Sequence, residues 1–296
     1  METIKFYDRK NKTLINENPP GESFLKFLYY NPLGKLTLEA IVKRKFLSCI
    51  YGILMNLERS KKFIHSFASS NGIDLSEAEK KIESFTSFND FFYRKLKIEA
   101  RPIGENLVSP ADGKLLAFEK VENYTSFYVK GESFTIYRFL QNNKLAEKFK
   151  DGSMLIVRLA PSDYHRYHFP CSGKVGKQYR IKGDYYSVSP LAMKRNLEIF
   201  CQNKREYCTI ESKEYGQVLY SEIGATMVGS IISTFAENTH VNKGDEKGYF
   251  AFGGSSLLLL FEKDKIKFDD DLIENSKNGI ETSIRIGETI GRATNC

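Results

Sequence analysis

The chain has 296 residues, a formal net charge of +7, and 41 % hydrophobic and 13 % aromatic residues. That length allows one large domain or two small ones, and that composition excludes a disordered chain. The basic charge comes without an RNP-like, zinc-finger or helix-turn-helix pattern, and without tandem repeats, so no nucleic-acid partner is expected.

From about Leu36 to Phe92 the pattern is helical. Leu36-Thr37-Leu38-Glu39-Ala40-Ile41-Val42 leads into an apolar-periodic run, and Asn71-Gly72 marks a stop. Ser76 with Glu79 three residues on has the form of a capping box and predicts a short helix to about Phe85. Ser87 followed by Asp90 predicts another start before Phe91-Phe92-Tyr93. After Pro102 the texture changes to short β-branched and aromatic runs at 155–157, 174–181, 217–221, 226–235, 257–261 and 283–286. The predicted fold class is α+β, with a mostly helical amino-terminal region (1–100) packed on a β-rich body (101–296).

The longest strongly apolar stretch, 46–57, contains Ser48, Gly52 and Asn56 and falls well short of the roughly 20 residues a membrane span needs. The amino terminus lacks the basic-then-apolar pattern of a signal peptide. Lys43-Arg44-Lys45 directly before Phe46-Leu47 reads either as the start of an interfacial helix or as a core helix of the amino-terminal bundle. The positive charge favours an anionic membrane surface. The 5 cysteines, at 49, 171, 201, 208 and 296, show no C-x-x-C spacing. Reduced structural thiols are expected, with no disulfide and no cysteine chemistry.

Three segments carry chemistry. Gly253-Gly254-Ser255-Ser256 interrupts two apolar runs, Tyr249-Phe250-Ala251-Phe252 and Leu257-Leu258-Leu259-Leu260-Phe261, both of which read as buried strand. Such a break is ordinarily a bulge or tight kink. It also places the Ser255 hydroxyl beside the unhindered Gly254 carbonyl, the arrangement for an N-to-O acyl shift. Ser109-Pro110-Ala111-Asp112-Gly113-Lys114 holds a carboxylate in a turn. Asp163-Tyr164-His165-Arg166-Tyr167-His168-Phe169-Pro170 carries two of the 4 histidines, and Pro161 and Pro170 around it predict a loop. Carboxylate, imidazole and hydroxyl are the parts of a Ser-His-Asp relay.

The ordered set SPADGK, DYHRYHFP and GGSS resembles the phosphatidylserine decarboxylases, which carry a self-generated pyruvoyl group. Phe88-Asn89-Asp90-Phe91-Phe92-Tyr93-Arg94-Lys95-Leu96, Tyr186-Ser187-Val188-Ser189-Pro190-Leu191, Gly224-Ala225-Thr226-Met227-Val228-Gly229-Ser230-Ile231 and Glu281-Thr282-Ser283-Ile284-Arg285-Ile286-Gly287-Glu288 match as well. The resemblance spans about residue 30 to the carboxy terminus, and the first thirty residues match least well. Ser256 stands where many relatives have Thr, which keeps a hydroxyl.

The resemblance implies a sandwich-like or barrel-like body and a zymogen that cleaves itself between Gly254 and Ser255. Asp112, His168 and Ser255 would form the relay for that cleavage, and His165 would act at the substrate during decarboxylation. It implies a β chain (1–254) and an α chain (255–296) that stay associated as a heterodimer, with a higher oligomer also allowed. The pyruvoyl group derived from Ser255 would form a Schiff base with phosphatidylserine and release CO₂ to give phosphatidylethanolamine. A lipid substrate implies a peripheral protein of the cytoplasmic side of the cell membrane. No metal is expected. Two other readings of the same residues are a non-catalytic lipid-binding relative and a zinc hydrolase using His165, His168 and either His240 or Asp112.

Overall fold

The computed structural model describes residues 4–17, 22–38, 45–122, 135–193, 198–225, 231–251 and 255–294. In chain order the strands are β1 (Ile4–Asp8), β2 (Thr13–Glu17), β3 (Leu107–Val108), β4 (Gly113–Phe118), β5 (Ser153–Leu159) and β6 (Arg166–His168). They continue with β7 (Gly173–Val175), β8 (Tyr179–Ile181), β9 (Arg205–Ser212), β10 (Gly216–Gly224), β11 (Ile231–Ser233) and β12 (His240–Val241). The last are β13 (Glu246–Phe250), β14 (Ser255–Phe261), β15 (Ile266–Phe268), β16 (Glu281–Ile284) and β17 (Thr289–Ala293).

The apolar run 257–261 shows no polar alternation because both faces of its strand are covered. Every residue of β14 is buried. Leu258 and Leu260 pack with Phe139, Phe149 and Tyr207 on one face. Leu257, Leu259 and Phe261 pack with Tyr167, Phe169 and Tyr220 on the other. Successive side chains of a strand point to opposite faces, so one run of leucines supplies two cores.

β14 lies inside an 11-stranded sheet of order β12-β7-β9-β10-β14-β5-β4-β16-β1-β2, with β8 also beside β9. Its neighbours β10 and β5 both run antiparallel to it. Two smaller sheets, β11-β13-β6 and β15-β17-β3, have three strands each. The whole is α+β, dominated by a large sheet. The predicted single run 174–181 divides into β7 and β8, which pair with different stretches of β9.

The amino-terminal region departs from the helical expectation at its start. Residues 4–17 form the β1–β2 hairpin, and β1 adds in parallel to β16 at the edge of the large sheet. Buried Arg158 on β5 accounts for the docking: it donates to Glu17 of the hairpin and to Glu281 of β16. Helices follow: α1 (Glu22–Tyr30), α2 (Pro32–Thr37), α3 (Lys45–Asn56), α4 (Ile64–Ser70) and α5 (Phe88–Phe92). α4 ends at Asn71, with Gly72 at φ +61°, as the Asn-Gly pair predicts. α5 starts at Ser87, whose Oγ accepts the Asp90 N–H at 3.2 Å.

The helix predicted from Ser76 to Phe85 is absent. Asp74 is the cap instead, accepting both the N–H and the hydroxyl of Ser76, and it closes only one 3-10 turn. The backbone then extends at Ala78 to bridge Leu96. A local capping pattern lost to that longer-range pairing.

Phe27, Tyr30, Leu33, Leu36, Ile50 and Ile53, on α1–α3, expose their apolar side chains. Among the described residues no helix is long and apolar enough to cross a membrane. Lys43 and Arg44 of the predicted interfacial segment lie outside the described residues.

If the two-faced burial of β14 holds the body together, Leu259→Ala lowers unfolding free energy by about 2–5 kcal/mol in denaturant titration. Ile98→Ser, at a side chain 94 % exposed, changes it by no more than about 0.5 kcal/mol.

Candidate active site

The two apolar runs around Gly253-Gly254 are indeed strands, but of different sheets. β13 ends at Phe250 in the small sheet β11-β13-β6, and β14 begins at Ser255 in the large one. Ser255 is therefore the first residue of a central strand, in register with Gly224 on one side and Leu159 on the other. It is fully buried, and among the described residues its Oγ has no hydrogen-bond partner, like that of Ser256. Alternation puts Ser255 on the face of Leu257 and Leu259, the face that packs with Tyr167 and Phe250 of the small sheet. Gly253 and Gly254, with Phe252, lie outside the described residues.

The histidine segment is not the loop its flanking prolines predict. Residues 166–168 form β6, which pairs with β13 across a register shift between Glu246 and Gly248. The His168 N–H donates to the Pro110 carbonyl at 2.8 Å, and the Phe250 N–H donates to the His165 carbonyl at 2.9 Å. Main-chain bonds thus tie this segment both to the turn that carries Asp112 and to the strand that leads toward Ser255.

The two imidazoles are held differently. His168 Nδ1 lies 2.8 Å from the Gly244 carbonyl, a bond only a ring N–H can make. Its Nε2 is buried without a partner among the described residues. Burial holds the His168 pKa below its usual value, against the opposing pull of the Gly244 bond. The ring is therefore neutral at pH 7, with a free lone pair on Nε2. His165 is fully buried, its Nδ1 2.8 Å from the Asp163 carbonyl and its ring 3.9 Å from that of Phe92.

Asp112 immediately precedes β4. Lys114 and Ser256 both register with Arg158 of the intervening β5, so the Asp112 and Ser255 ends of their strands lie two strand spacings apart, about 10 Å. The Asp112 carboxylate accepts from Arg101 at 2.7–3.1 Å and from the Ile286 N–H at 2.8 Å. Burial opposes the Arg101 charge, but the bonds and attraction of Asp112 and Glu77 outweigh it and raise the guanidinium pKa. Among the described residues no hydrogen bond joins Asp112 to His168. The bond to His168 Nδ1 that a relay asks of its carboxylate is made here by Gly244.

Sequence reasoning missed Arg101 and Gly244. Asn242-Lys243-Gly244-Asp245 is readable as a turn, and Gly244 has φ +88°, but nothing in the sequence tells where its carbonyl points. Arg101 is eleven residues from Asp112, and only the fold shows that the two side chains meet.

A polar cavity of about 350 Å³ reaches Asp112 and the Ser162-Asp163-Tyr164 turn. Ser255 and His168 do not line it. Among the described residues no three His, Cys, Asp or Glu side chains are grouped to hold a metal ion. His240, the third histidine of the zinc reading, sits exposed on β12. Cys171, Cys201 and Cys208 carry free thiols that burial pushes up to about 12, 11 and 12, far from thiolate chemistry at neutral pH. Cys49 and Cys296 fall among side chains that are not described.

A buried hydroxyl and a buried imidazole nitrogen without partners are costly in a folded core. They suit a serine whose own oxygen is to be deprotonated and made to attack the preceding carbonyl, and so fit a group made from Ser255.

The phosphatidylserine decarboxylase family model matches residues 88–292. A phosphatidylserine decarboxylase proenzyme of Fusobacterium nucleatum is 50 % identical over 298 residues, covering 100 % of this chain and 99 % of its own length. Proenzymes of the same name from Clostridium botulinum and Desulfitobacterium hafniense are 45 % and 46 % identical over 291 residues, 97 % of this chain and 99 % and 98 % of theirs. The first of these alignments takes in the amino-terminal thirty residues, which the motifs alone had left out. With its motifs, its full-length relatives and a matched span that holds Asp112, His165, His168 and Ser255, the chain belongs to the phosphatidylserine decarboxylase family.

Proposed function

We propose that this protein is a self-processing phosphatidylserine decarboxylase. The observation that carries the reading is the fully buried Ser255 hydroxyl at the head of β14, which has no hydrogen-bond partner among the described residues. It is supported by relatives named as proenzymes over the full chain.

In the first stage His168 Nε2 takes the Ser255 Oγ proton, and Oγ attacks the Gly254 carbonyl carbon. Collapse breaks the Gly254–Ser255 C–N bond, leaving an ester to Oγ and a free amine on Ser255. Removal of the Ser255 α-proton expels Gly254 as a carboxylate that keeps the former Oγ. The resulting dehydroalanine tautomerises to an imine, and water releases ammonia. Chain 1–254 then ends in a carboxylate, and chain 255–296 begins with a pyruvoyl group.

That group supplies a carbonyl for the substrate amine and an electron sink for loss of CO₂. The residues of this chain do the rest. The Gly244 bond keeps the His168 lone pair on Nε2. Asp112, fixed by Arg101, places negative charge near the imidazolium as it forms. His165, oriented by the Asp163 carbonyl and the Phe92 ring, is the proton donor we assign to the substrate α-carbon. The two chains remain a heterodimer because the β14 ladders survive cleavage. The exposed apolar residues of α1–α3 face the lipid surface and make the protein peripheral to the membrane.

Intact mass under denaturing, reducing conditions tests the first stage. The expected product is chain 255–296, lighter by one ammonia than the seryl-ended fragment. Ser255→Ala and His168→Ala should stay full length, and normal cleavage of the His168 variant would remove it as the base. His165→Ala should cleave but lose about 10²–10⁴-fold in CO₂ release.

The pH profile checks the state of the base. Because burial lowers the His168 pKa, the reactive neutral form grows as pH rises and saturates below neutrality. Cleavage rate should reach a plateau by about pH 7, with its midpoint below the ordinary histidine value of about 6.5. A rate still rising tenfold per unit above pH 7 contradicts that assignment.

A further inference from the structure

We infer that Arg94 makes the polar cavity beside Asp112 an anion-binding site, for a phosphate-type oxyanion. It goes beyond the reading above by placing the substrate's anionic part, and rests on that reading only for which molecule carries the anion.

Arg94 follows α5 and lines the cavity. It is only 7 % exposed, and its Nε is buried without a hydrogen-bond partner among the described residues. Its guanidinium carbon lies 5.0 Å from the centre of the Phe91 ring, which offsets part of the lost hydration. The structure records no ion pair for this side chain among the described residues. Burial lowers its pKa, against the attraction of Asp112 and Tyr164.

The cavity's carboxylates are already engaged. Asp112 is taken by Arg101 and the Ile286 N–H. Asp163 is taken by Lys114 and the Ala160 N–H. Asp74 caps its own turn, and Asp8 accepts from Lys10 and Asn11. Burial pushes the Glu288 carboxyl up, toward its neutral form. The fixed cations Arg101 and Lys114 are likewise satisfied. Arg94 is left as a desolvated cation facing a space of about 350 Å³, and a buried charge without a partner is expensive. An oxyanion accepting from the guanidinium restores the balance, and the planar fork matches phosphate oxygens.

The carrier is either a phospholipid head group or free phosphate. The test titrates full-length protein with glycerophosphoserine and, separately, inorganic phosphate at constant ionic strength, reading the shift in Tm. It is run in the wild type and in the uncleavable Ser255→Ala protein, so its outcome does not depend on pyruvoyl formation. Both probes should raise Tm in both proteins, and Arg94→Met should abolish the response. Tighter binding of glycerophosphoserine assigns the site to the head group, and tighter binding of phosphate assigns it to the free ion. Arg94→Lys, which keeps the charge but not the fork, should weaken binding about tenfold and decides the matter if Arg94→Met does not fold. No response in the wild type, equal responses in wild type and Arg94→Met, or unchanged affinity in Arg94→Lys would each overturn the inference.

Discussion

β14 is the constraint on which the rest depends. It is paired along all its residues to β10 and β5, and its side chains fill cores on both faces. A strand so held cannot shift by one residue without moving its leucines between cores and its serines between faces. Ser255 is therefore positioned by seven residues of strand, which explains how its hydroxyl can lack a partner among the described residues. Breaking the chain just before the strand removes none of its ladder bonds. β14 to β17 would lie on the carboxy-terminal product, yet β10, β5, β4, β1 and β3 would still pair with them. In the proposed processing, the sheet itself would hold the two products together.

Buried charges reinforce the same frame. Arg158 joins β2, β5 and β16 through Glu17 and Glu281. Fully buried Lys247 on β13 bonds Glu222 on β10, with Gln178 bridging the pair. That pair links the small sheet to the large one, two residues from Gly224 and three from Phe250, the strand ends nearest the proposed cleavage site. Removing one partner of such a pair typically costs about 3–5 kcal/mol, because the other charge is left stranded. Their contribution is chiefly one of position: the Lys247–Glu222 pair ties β13 to β10, the strand that pairs with β14.

Much of this was legible in the sequence. The leucine run, the Asn-Gly stop and the Ser87 cap are local signals, and local forces decided them. The chemistry-bearing residues stood out by type and order, and the order of motifs identified the family. Other features were set by distant pairing. The Ser76–Glu79 pattern lost to the Ala78–Leu96 bridge, and 166–168 became a strand because β13 offered it a ladder. The amino-terminal hairpin depends on partners more than a hundred residues away, Arg158 and β16. Arg101 and Gly244 lie outside the quoted motifs, and Arg94, though inside one, gains its meaning only from what the fold places beside it.

The placement of Asp112 bears on how His168 would work as the proposed base. A carboxylate bonded directly to an imidazole favours the cation and raises its pKa. Such a bond would leave His168 partly protonated, and so less able to accept the Ser255 proton. Here the bond to Nδ1 comes from an uncharged carbonyl, and Asp112 is held back by Arg101 and the Ile286 N–H. The imidazole is fixed in the right tautomer at little electrostatic cost, and burial keeps it neutral. Asp112 would still attract an imidazolium through space once the proton had moved. In the proposed cleavage, then, orientation and charge stabilisation fall to two different groups, and the Arg101–Asp112 pair sets how strongly the second acts.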